Sequence, residues 1–471
     1  MSDYDFIILG GGSAGYAAAR TAVDEGLRTA IVEGGKEVGG LCILRGCMPS
    51  KALLESANRY RELRGAAEFG LTAGNISYDP AAIQNRKRRM IKEFADYRAE
   101  QLQSKKFDLL RGKARFLSPN EIEVSFLDSE KIQKISARSF LVATGSEINA
   151  PEVPGINLPG IWTSDDLLNT DTIPKSALVL GAGPVALEGA YFLNALDCRV
   201  SLLQRSERIL KSMDSDVSAA LLHALRKQGM DILTNTALEK IEQSDAGWKV
   251  SFRHDGEEKS IQTEVLLNAL GRKPNTDSLN LAAASLEVTR QGFLETSKTQ
   301  QTKQPNIFAA GDVCGPHEVV HIAVSQGEIA ARNAARVLGH RSDALEESDY
   351  RLKLFATFTE PQAATVGLSE AEATDAEISF FHASYPFNDH GKSLILGEEE
   401  GFVKLLARRD NGKIIGASVI GPEASELIHE VVVAMHFNAD VFQFAAIPHY
   451  HPTLSEIWTY PAEEIADKIK S

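Results

Sequence analysis

Short apolar runs that lead into glycine clusters and then into small, helix-forming residues recur along this chain. Phe6-Ile7-Ile8-Leu9 reads as a buried strand running into Gly10-Gly11-Gly12-Ser13-Ala14-Gly15, and an alanine-rich helix follows over residues 16–25. A second strand over 28–32 ends in Glu33. Ala177-Leu178-Val179-Leu180 repeats the pattern, with Gly181-Ala182-Gly183-Pro184-Val185-Ala186-Leu187-Glu188, a helix, and a strand over 199–203. Between the repeats, residues 55–110 have the spacing of long amphipathic helices, and 112–142 alternate in the manner of short strands. Residues 140–146 form an apolar strand that ends in the small residues Ala143, Thr144 and Gly145. Pro151, Pro154, Gly155, Pro159 and Gly160 make a loop-rich boundary. Another apolar strand over 307–310 ends in Gly311-Asp312, and His321 opens a helix to about residue 338. After a polar linker over 339–348 the remainder alternates strands, 402–406 and 413–421, with an apolar helix near 425–435.

In a strand–glycine–helix context each glycine has a task. Gly10 makes the tight turn, Gly12 lets a pyrophosphate approach the helix N-terminus, and Gly15 permits close packing of helix on strand, while Glu33 is placed to bind a ribose hydroxyl. The pattern predicts an α/β fold with two Rossmann-like dinucleotide-binding domains and a C-terminal α+β domain. The second unit differs in one respect: its strand ends in Gln204-Arg205-Ser206-Glu207-Arg208 with Lys211 beyond, and Ala186 holds the third glycine position. Arg205, with Arg208 or Lys211, would attract a ribose 2'-phosphate that an acid would repel, which favours NADPH over NADH. Asp312, at its strand end, is a second candidate for holding a cofactor hydroxyl.

Composition narrows the class. At 471 residues the chain has material for three or four domains, and 64 acidic against 50 basic residues leave a formal charge of −14. This balance argues against nucleic acid or an anionic membrane surface as partner, and Arg86-Lys87-Arg88-Arg89 reads as a solvated helix face. No stretch approaches the roughly 18 apolar residues of a membrane span. Four cysteines are too few for a disulfide framework, so a reducing, cytoplasmic location is expected.

Two of those cysteines, Cys42 and Cys47, stand in Gly-Gly-Leu-Cys-Ile-Leu-Arg-Gly-Cys-Met-Pro-Ser-Lys at 39–51. A regular helix would separate their Cα atoms by roughly 8 to 9 Å, beyond disulfide reach, so a first turn distorted at Gly46 is expected, with Pro49 pushing Met48 from helical geometry and the helix resuming at Ser50. A helix-terminal pair of this kind suits a dithiol and disulfide that cycle; half a metal site or two buried thiols are the other readings. At the other end of the chain, His449-Tyr450-His451-Pro452-Thr453-Leu454-Ser455-Glu456 offers a histidine oriented by a carboxylate, a proton shuttle or otherwise a polar loop. His429 and His436 read as packed or solvent-facing, and Trp458 and Tyr460 as packing residues. No metal-ligand set of zinc-like spacing is present.

The order of glycine motif, cysteine pair, second glycine motif, Ala-Gly-Asp and terminal His-Pro-Thr resembles the flavin-dependent pyridine nucleotide-disulfide oxidoreductases over essentially the whole chain. Pro49-Ser50-Lys51-Ala52-Leu53-Leu54, His321-x-Ala323 before Gln326-Gly327, and His-x-His-Pro-Thr-Leu-Ser-Glu are similar to the dihydrolipoamide dehydrogenase branch. Arg45-Gly46-Cys47 and the basic strand end resemble NADPH-linked members, Leu41 and Leu44 replace a usual threonine and asparagine, and the C-terminal cysteine pair of mercuric reductase is absent.

The resemblance implies hydride transfer between NAD(P)(H) and a disulfide or dithiol through FAD. It implies regions 1–150 and 275–344 (FAD), 151–274 (NAD(P)) and 345–471 (dimerisation). The substrate would be a small disulfide or a lipoyl domain. Cys47 would face the flavin, Cys42 exchange with substrate, Lys51 pair with Glu188 beside the flavin, and His451, supplied by the partner subunit and oriented by Glu456, move the substrate proton. Implied cofactor-binding positions are Gly10, Gly12, Ser13, Ala14, Gly15, Glu33, Gly40, Lys51, Ala143, Thr144, Gly145, Gly181, Gly183, Glu188, Arg205, Gly271, Gly311, Asp312, His321 and Ala323. An NADPH-dependent reductase of another disulfide, metal or electrophile is the alternative; a flavin transhydrogenase or a redox-sensing interaction protein is a third.

Overall fold

The first apolar run becomes the strand Tyr4–Leu9, which lies in the middle of a parallel sheet in the computed structural model of residues 2–471. Leu9 stands opposite Val32 of Thr29–Glu33 on one side and opposite Val142 of Ile132–Val142 on the other. Asp108–Ser118 extends the first side and Ile307–Ala309 the second. Successive strands therefore go to opposite sides of Tyr4–Leu9, which makes a topological switch point at its C-terminal end. Burial on both faces explains the unbroken apolar runs. Phe6, Ile8, Ile31, Leu141 and Phe308 share a core with the helices Ser13–Asp24 and Val320–Val337. Ile7, Leu9, Val32, Phe140 and Val142 join Phe116, Ile122 and Leu294 in another core.

These elements belong to one of two compact units, which comprises Met1–Ser50, Asn85–Asn149 and Arg272–Asp349; Lys51–Gln84, Ala150–Gly271 and Tyr350–Ser471 form the other. The strands expected between 112 and 142 are longer than their alternation indicated. Asp108–Ser118 and Ile132–Val142 run past the parallel sheet into an antiparallel meander with Glu121–Phe126. The apolar stretch from 140 is the end of Ile132–Val142, and the short strand Ser146–Ile148 pairs with Arg272–Pro274. The helical region resolves into Cys47–Gly65 and Pro80–Leu102. The solvated face expected at 86–89 fails at Lys87, which is only 4% exposed.

In the second unit Ser176–Leu180 lies between Val265–Asn268 and Arg199–Leu203, all parallel, with Asp231–Leu233 beyond. Helix Pro184–Ala195 buries Ala186, Leu187, Ala190 and Tyr191 in a core that also takes Leu53 and Leu54. A five-stranded antiparallel sheet, from Leu354–Thr357 to Phe380–Pro386, makes up the C-terminal part. Helices Ala424–His436 and Thr459–Lys470 share its core with Trp458, whose buried indole N–H donates to the Leu427 carbonyl at 3.1 Å. Among the described residues no helix is long and apolar enough to cross a membrane.

Burial pushes the Glu360 carboxyl up to about 8, with Glu398 and Glu423 adding to the rise and Arg61 opposing it. The folded chain thus keeps this proton where the unfolded chain has released it, between the ordinary 4.5 and about 8. Stability falls with rising pH in that window, because the folded state binds more protons. Replacing the carboxyl by a neutral amide removes the effect: between about pH 5 and about pH 9 the melting temperature of Glu360→Gln should fall less than that of the wild type. Parallel melting curves would contradict the assignment.

Candidate active site

At the switch point the backbone approaches so closely that no side chain fits. Gly10 has φ +107°, and a Cβ there would stand 2.3 Å from the Ala143 carbonyl oxygen. At Gly15 it would stand 1.9 Å from the Gly10 carbonyl oxygen. Gly15 thus serves to seat the helix on its own entry turn. Gly12 begins the helix Ser13–Asp24 with no side-chain cap, so the first N–H groups and the positive dipole end are left for a ligand. Gly40 folds onto this turn, where a Cβ would meet the Gly12 Cα at 2.6 Å. Glu33 accepts N–H hydrogen bonds from Gly11 at 2.8 Å and Gly35 at 2.6 Å, which fix its carboxylate at the strand end.

Ala14, Gly311 and Ala323, far apart in sequence, converge: a Cβ on Gly311 would lie 3.4 Å from that of Ala323 and 3.5 Å from that of Ala14. His321 is exposed in the first turn of the helix Val320–Val337. Gln326, fully buried, pins the Asp312 loop. Its Oε1 accepts from the Gly311 N–H at 2.8 Å and its Nε2 donates to the Gly315 carbonyl at 2.9 Å. Ser146 Oγ donates to Asp312 at 2.6 Å, and Arg272 Nε donates to Ser146 Oγ at 2.7 Å. Thr144 Oγ1 donates to the Asn275 carbonyl at 2.7 Å, and the Asn275 N–H to Gly145 at 3.0 Å.

The second glycine turn repeats the geometry. Gly181 has φ +102° and a Cβ there would stand 2.5 Å from the Ala269 carbonyl oxygen, as Gly10 does with Ala143. Gly183 lies in open space before Pro184, the first residue of a helix without a side-chain cap. Gly271, at φ +97°, follows Val265–Asn268. Arg205 is exposed just past Arg199–Leu203 and makes no hydrogen bond or ion pair among the described residues. Gln204 Nε2 shapes the turn by donating to Ser206 Oγ at 2.6 Å and the Arg208 carbonyl at 3.1 Å.

The cysteine segment is distorted where expected, with one correction. Leu41–Arg45 and Cys47–Gly65 are separate helices broken at Gly46, whose φ is −133° and ψ −119°. A Cβ on Gly46 would stand 3.2 Å from the Cys42 Cα, so the chain folds back tightly between the two cysteines. The second helix begins at Cys47 rather than Ser50 and Met48 is helical, because Pro49 falls in the first turn, where its missing N–H costs nothing. Cys47 is exposed at this helix start and Cys42 half-buried.

Further along that helix, Lys51 Nζ donates to both Glu188 carboxylate oxygens at 2.8 and 2.9 Å and lies 4.4 Å over the Phe358 ring. The Phe358 N–H donates to the same carboxylate at 3.1 Å. In the C-terminal part, Glu456 lies 3.0 Å from His451 Nδ1, and the His451 side chain is 78% exposed. Behind Glu456, His390 is fully buried with Nε2 3.5 Å from the carboxylate and Nδ1 2.9 Å from Ser393 Oγ. Burial holds the His390 ring below the usual imidazole range, and Glu456 opposes this. His449 is engaged elsewhere, with Glu430 at 2.6 Å. Asp214, Asp216 and Glu370 also converge, around the buried Lys404 ammonium at 2.7 to 2.8 Å.

Residues 4–327 match the family described as pyridine nucleotide-disulphide oxidoreductase, and 355–462 match its dimerisation domain. The chain belongs to the pyridine nucleotide-disulphide oxidoreductases. It is 33% identical to a dihydrolipoyl dehydrogenase of Geobacillus stearothermophilus over 97% of this chain and 95% of that one. It is 32% identical to a mercuric reductase of Staphylococcus aureus over 93% of this chain and 78% of that one. A Cu(II) complex of the HOCl-induced flavoprotein disulfide reductase RclA from Escherichia coli has the same fold, with a TM-score of 0.85, 24% identity, and 99% and 100% of the two chains covered.

As a member of this family the chain is an FAD-dependent pyridine nucleotide-disulfide oxidoreductase, and its dimerisation domain marks it as a homodimer. The residues fit two nucleotides: both glycine turns present uncapped helix ends, and at each a Cβ would close the turn onto the neighbouring carbonyl. Sequence reading missed the roles of Gln326, Ser146, Arg272 and His390. Gln326 was quoted only as part of a family resemblance with no role of its own, and Ser146, Arg272 and His390 sit in no motif. Gly15→Ala, with its Cβ 1.9 Å from a backbone oxygen, should give protein with little or no bound flavin. Absorbance of the purified variant near 450 nm, relative to 280 nm, measures this, and wild-type flavin content would refute it.

Proposed function

We propose that this chain is a dihydrolipoamide dehydrogenase-like enzyme that moves a hydride's electron pair between NAD(P)(H) and a disulfide by way of Cys42 and Cys47. The observation that carries the reading is the Gly46 hinge, which folds the two cysteines back on one another at a helix N-terminus, where a thiolate is favoured. FAD, when bound, relays the electron pair between the nicotinamide and the cysteines. The balance is NAD(P)H, a proton and a disulfide giving NAD(P)+ and a dithiol. In this reading Cys42 forms the mixed disulfide with substrate, releasing one substrate thiol, and Cys47 displaces the other to restore the Cys42–Cys47 bond. Lys51, held by Glu188, keeps a positive charge one helical turn from Cys47. His451, its ring fixed by Glu456, gives or takes the substrate proton, and it does so in the partner's site; its exposure supports a role at a surface completed by a second subunit. The FAD region comprises 1–150 and 275–344, the NAD(P) region 151–274, and the dimerisation region 345–471.

A second reading, an NADPH-dependent reductase of another disulfide, metal or electrophile, is favoured by the exposed, unpaired Arg205 at the strand end. In either case NADPH is the preferred nucleotide.

Anaerobic reduction of the wild type by NADPH should expose two additional thiols per chain and turn over a disulfide substrate. Cys42→Ser and Cys47→Ser should each abolish both, while long-wavelength absorbance from a Cys47 thiolate should persist in Cys42→Ser alone. Full disulfide turnover in both variants would sink the dithiol reading.

A charge-assisted hydrogen bond is worth about 1.5 to 3 kcal/mol, so Arg205→Ala should lower kcat/KM for NADPH by about tenfold to a hundredfold and spare NADH. Equal losses with both nucleotides, or a wild type that strongly prefers NADH, would show that Arg205 does not read the 2'-phosphate.

A further inference from the structure

Glu456 faces two imidazoles, and only one of them has a part in the reaction outlined above. His451 Nδ1 lies 3.2 and 3.0 Å from the two carboxylate oxygens on the solvent side. On the inner side stands His390, which precedes the short helix Gly391–Leu396 and has no exposed surface. Its Nε2 is 3.5 Å from Glu456 Oε1, long for a hydrogen bond, and has no other hydrogen-bond partner among the described residues.

The surroundings fix both the charge and the tautomer of this ring. Phe387 and Tyr460 make T-shaped contacts with it, each with its centroid 6.5 Å away. Burial disfavours the charged form, Glu456 favours it and His451 opposes it. Asp389, next in the chain, is engaged by the Tyr385 hydroxyl at 3.0 Å, and Lys392 on the short helix forms no ion pair among the described residues. A neutral ring has a single N–H. With the proton on Nδ1, the Nε2 lone pair would face a carboxylate, which is repulsive. With the proton on Nε2, the N–H dipole points at Oε1, and Nδ1 accepts from the buried Ser393 hydroxyl at 2.9 Å. Packing alone would be served better by a phenylalanine, because burying two ring nitrogens carries a desolvation cost.

We infer that His390 is a positioning residue for the disulfide reaction: a neutral N–H donor aimed at Glu456 from the buried side, which draws part of the carboxylate's charge away from His451 and so sets the pH at which His451 gives up its proton. The inference rests on the reading of His451 as the proton carrier and deepens it by naming what tunes that proton. In disulfide reduction His451 must hold the proton that the departing thiolate takes, so activity falls as pH rises through the titration of the His451–Glu456 pair. Without the inner donor the carboxylate's charge acts on His451 undiminished, and the imidazole keeps its proton to higher pH.

The test follows kcat/KM of the FAD-loaded homodimer for bis(2-hydroxyethyl) disulfide, at saturating NADPH, from about pH 6 to about pH 10. His390→Phe keeps a ring in place but deletes the donor, and should move the alkaline limb upward by about half a pH unit or more. His390→Gln, which returns an N–H to the place of Nε2, should restore the wild-type limb. Ser393→Ala, which loosens the tautomer, should move the limb in the same direction as His390→Phe but less far, and it decides the matter should His390→Phe not fold. The position of the limb is the readout, which a general loss of folding or activity does not move. A limb that stays in place or moves to lower pH without the donor, or one that shifts equally in His390→Gln, overturns the inference while the His451 reading stands. His451→Gln checks that reading: the alkaline limb should vanish with much of the activity, and a limb retained there would sink the reading and the inference with it.

Discussion

Backbone approaches too close for any side chain seat both glycine turns, and the uncapped helix ends behind them depend on this. Gly10 abuts the Ala143 carbonyl, Gly15 the Gly10 carbonyl, and Gly181 the Ala269 carbonyl. A single methyl group at any of these positions would drive a helix away from its sheet. Close seating brings an uncapped helix end to the switch point, where its N–H groups and dipole favour an anion. The same economy of side chains recurs on the helix pair Ser13–Asp24 and Val320–Val337, where Gly327 lies against the Ala14 carbonyl.

Around this scaffold, polar side chains act in tethered sets. Arg272 holds Ser146, Ser146 holds Asp312, and Gln326 clamps the loop from behind. Glu188 serves Lys51 and the Phe358 N–H together, so the ammonium is oriented by a carboxylate whose own position is set by backbone. Glu456 stands between exposed His451 and buried His390, which leaves it little freedom to turn. Such sets fix the direction of each side chain in advance, so less order need be imposed when a ligand binds.

The cations divide by whether the fold satisfies them. Lys404 is buried and surrounded by three carboxylates, a structural arrangement that closes the site to any other ion. Arg98 and Arg205 lack such partners, one against the cysteine segment and the other at the second nucleotide strand end. An acidic chain could readily have supplied carboxylates at either place.

Much of the fold and part of the site were legible in the sequence, because the forces involved are local. Strand, glycine turn and helix follow one another between Tyr4 and Asp24 and again between Ser176 and Ala195, the Gly46 break lies between the two cysteines, and His451 meets Glu456 five positions on. Contacts made across the sheet were not legible. That Ile132–Val142 becomes the neighbour of Tyr4–Leu9, that Gln326 reaches Gly311, that His390 backs Glu456, and that Arg98 crosses Gly39 all depend on crossovers and register. The beginning of the second cysteine helix was misjudged for a similar reason, since the preference of a residue before proline yielded to the first-turn hydrogen bonds around Gly46. Sequence by itself determined the elements, their order and the local chemistry of each motif; tertiary structure alone decided which distant side chains orient that chemistry, because their partners are chosen by packing and not by spacing along the chain.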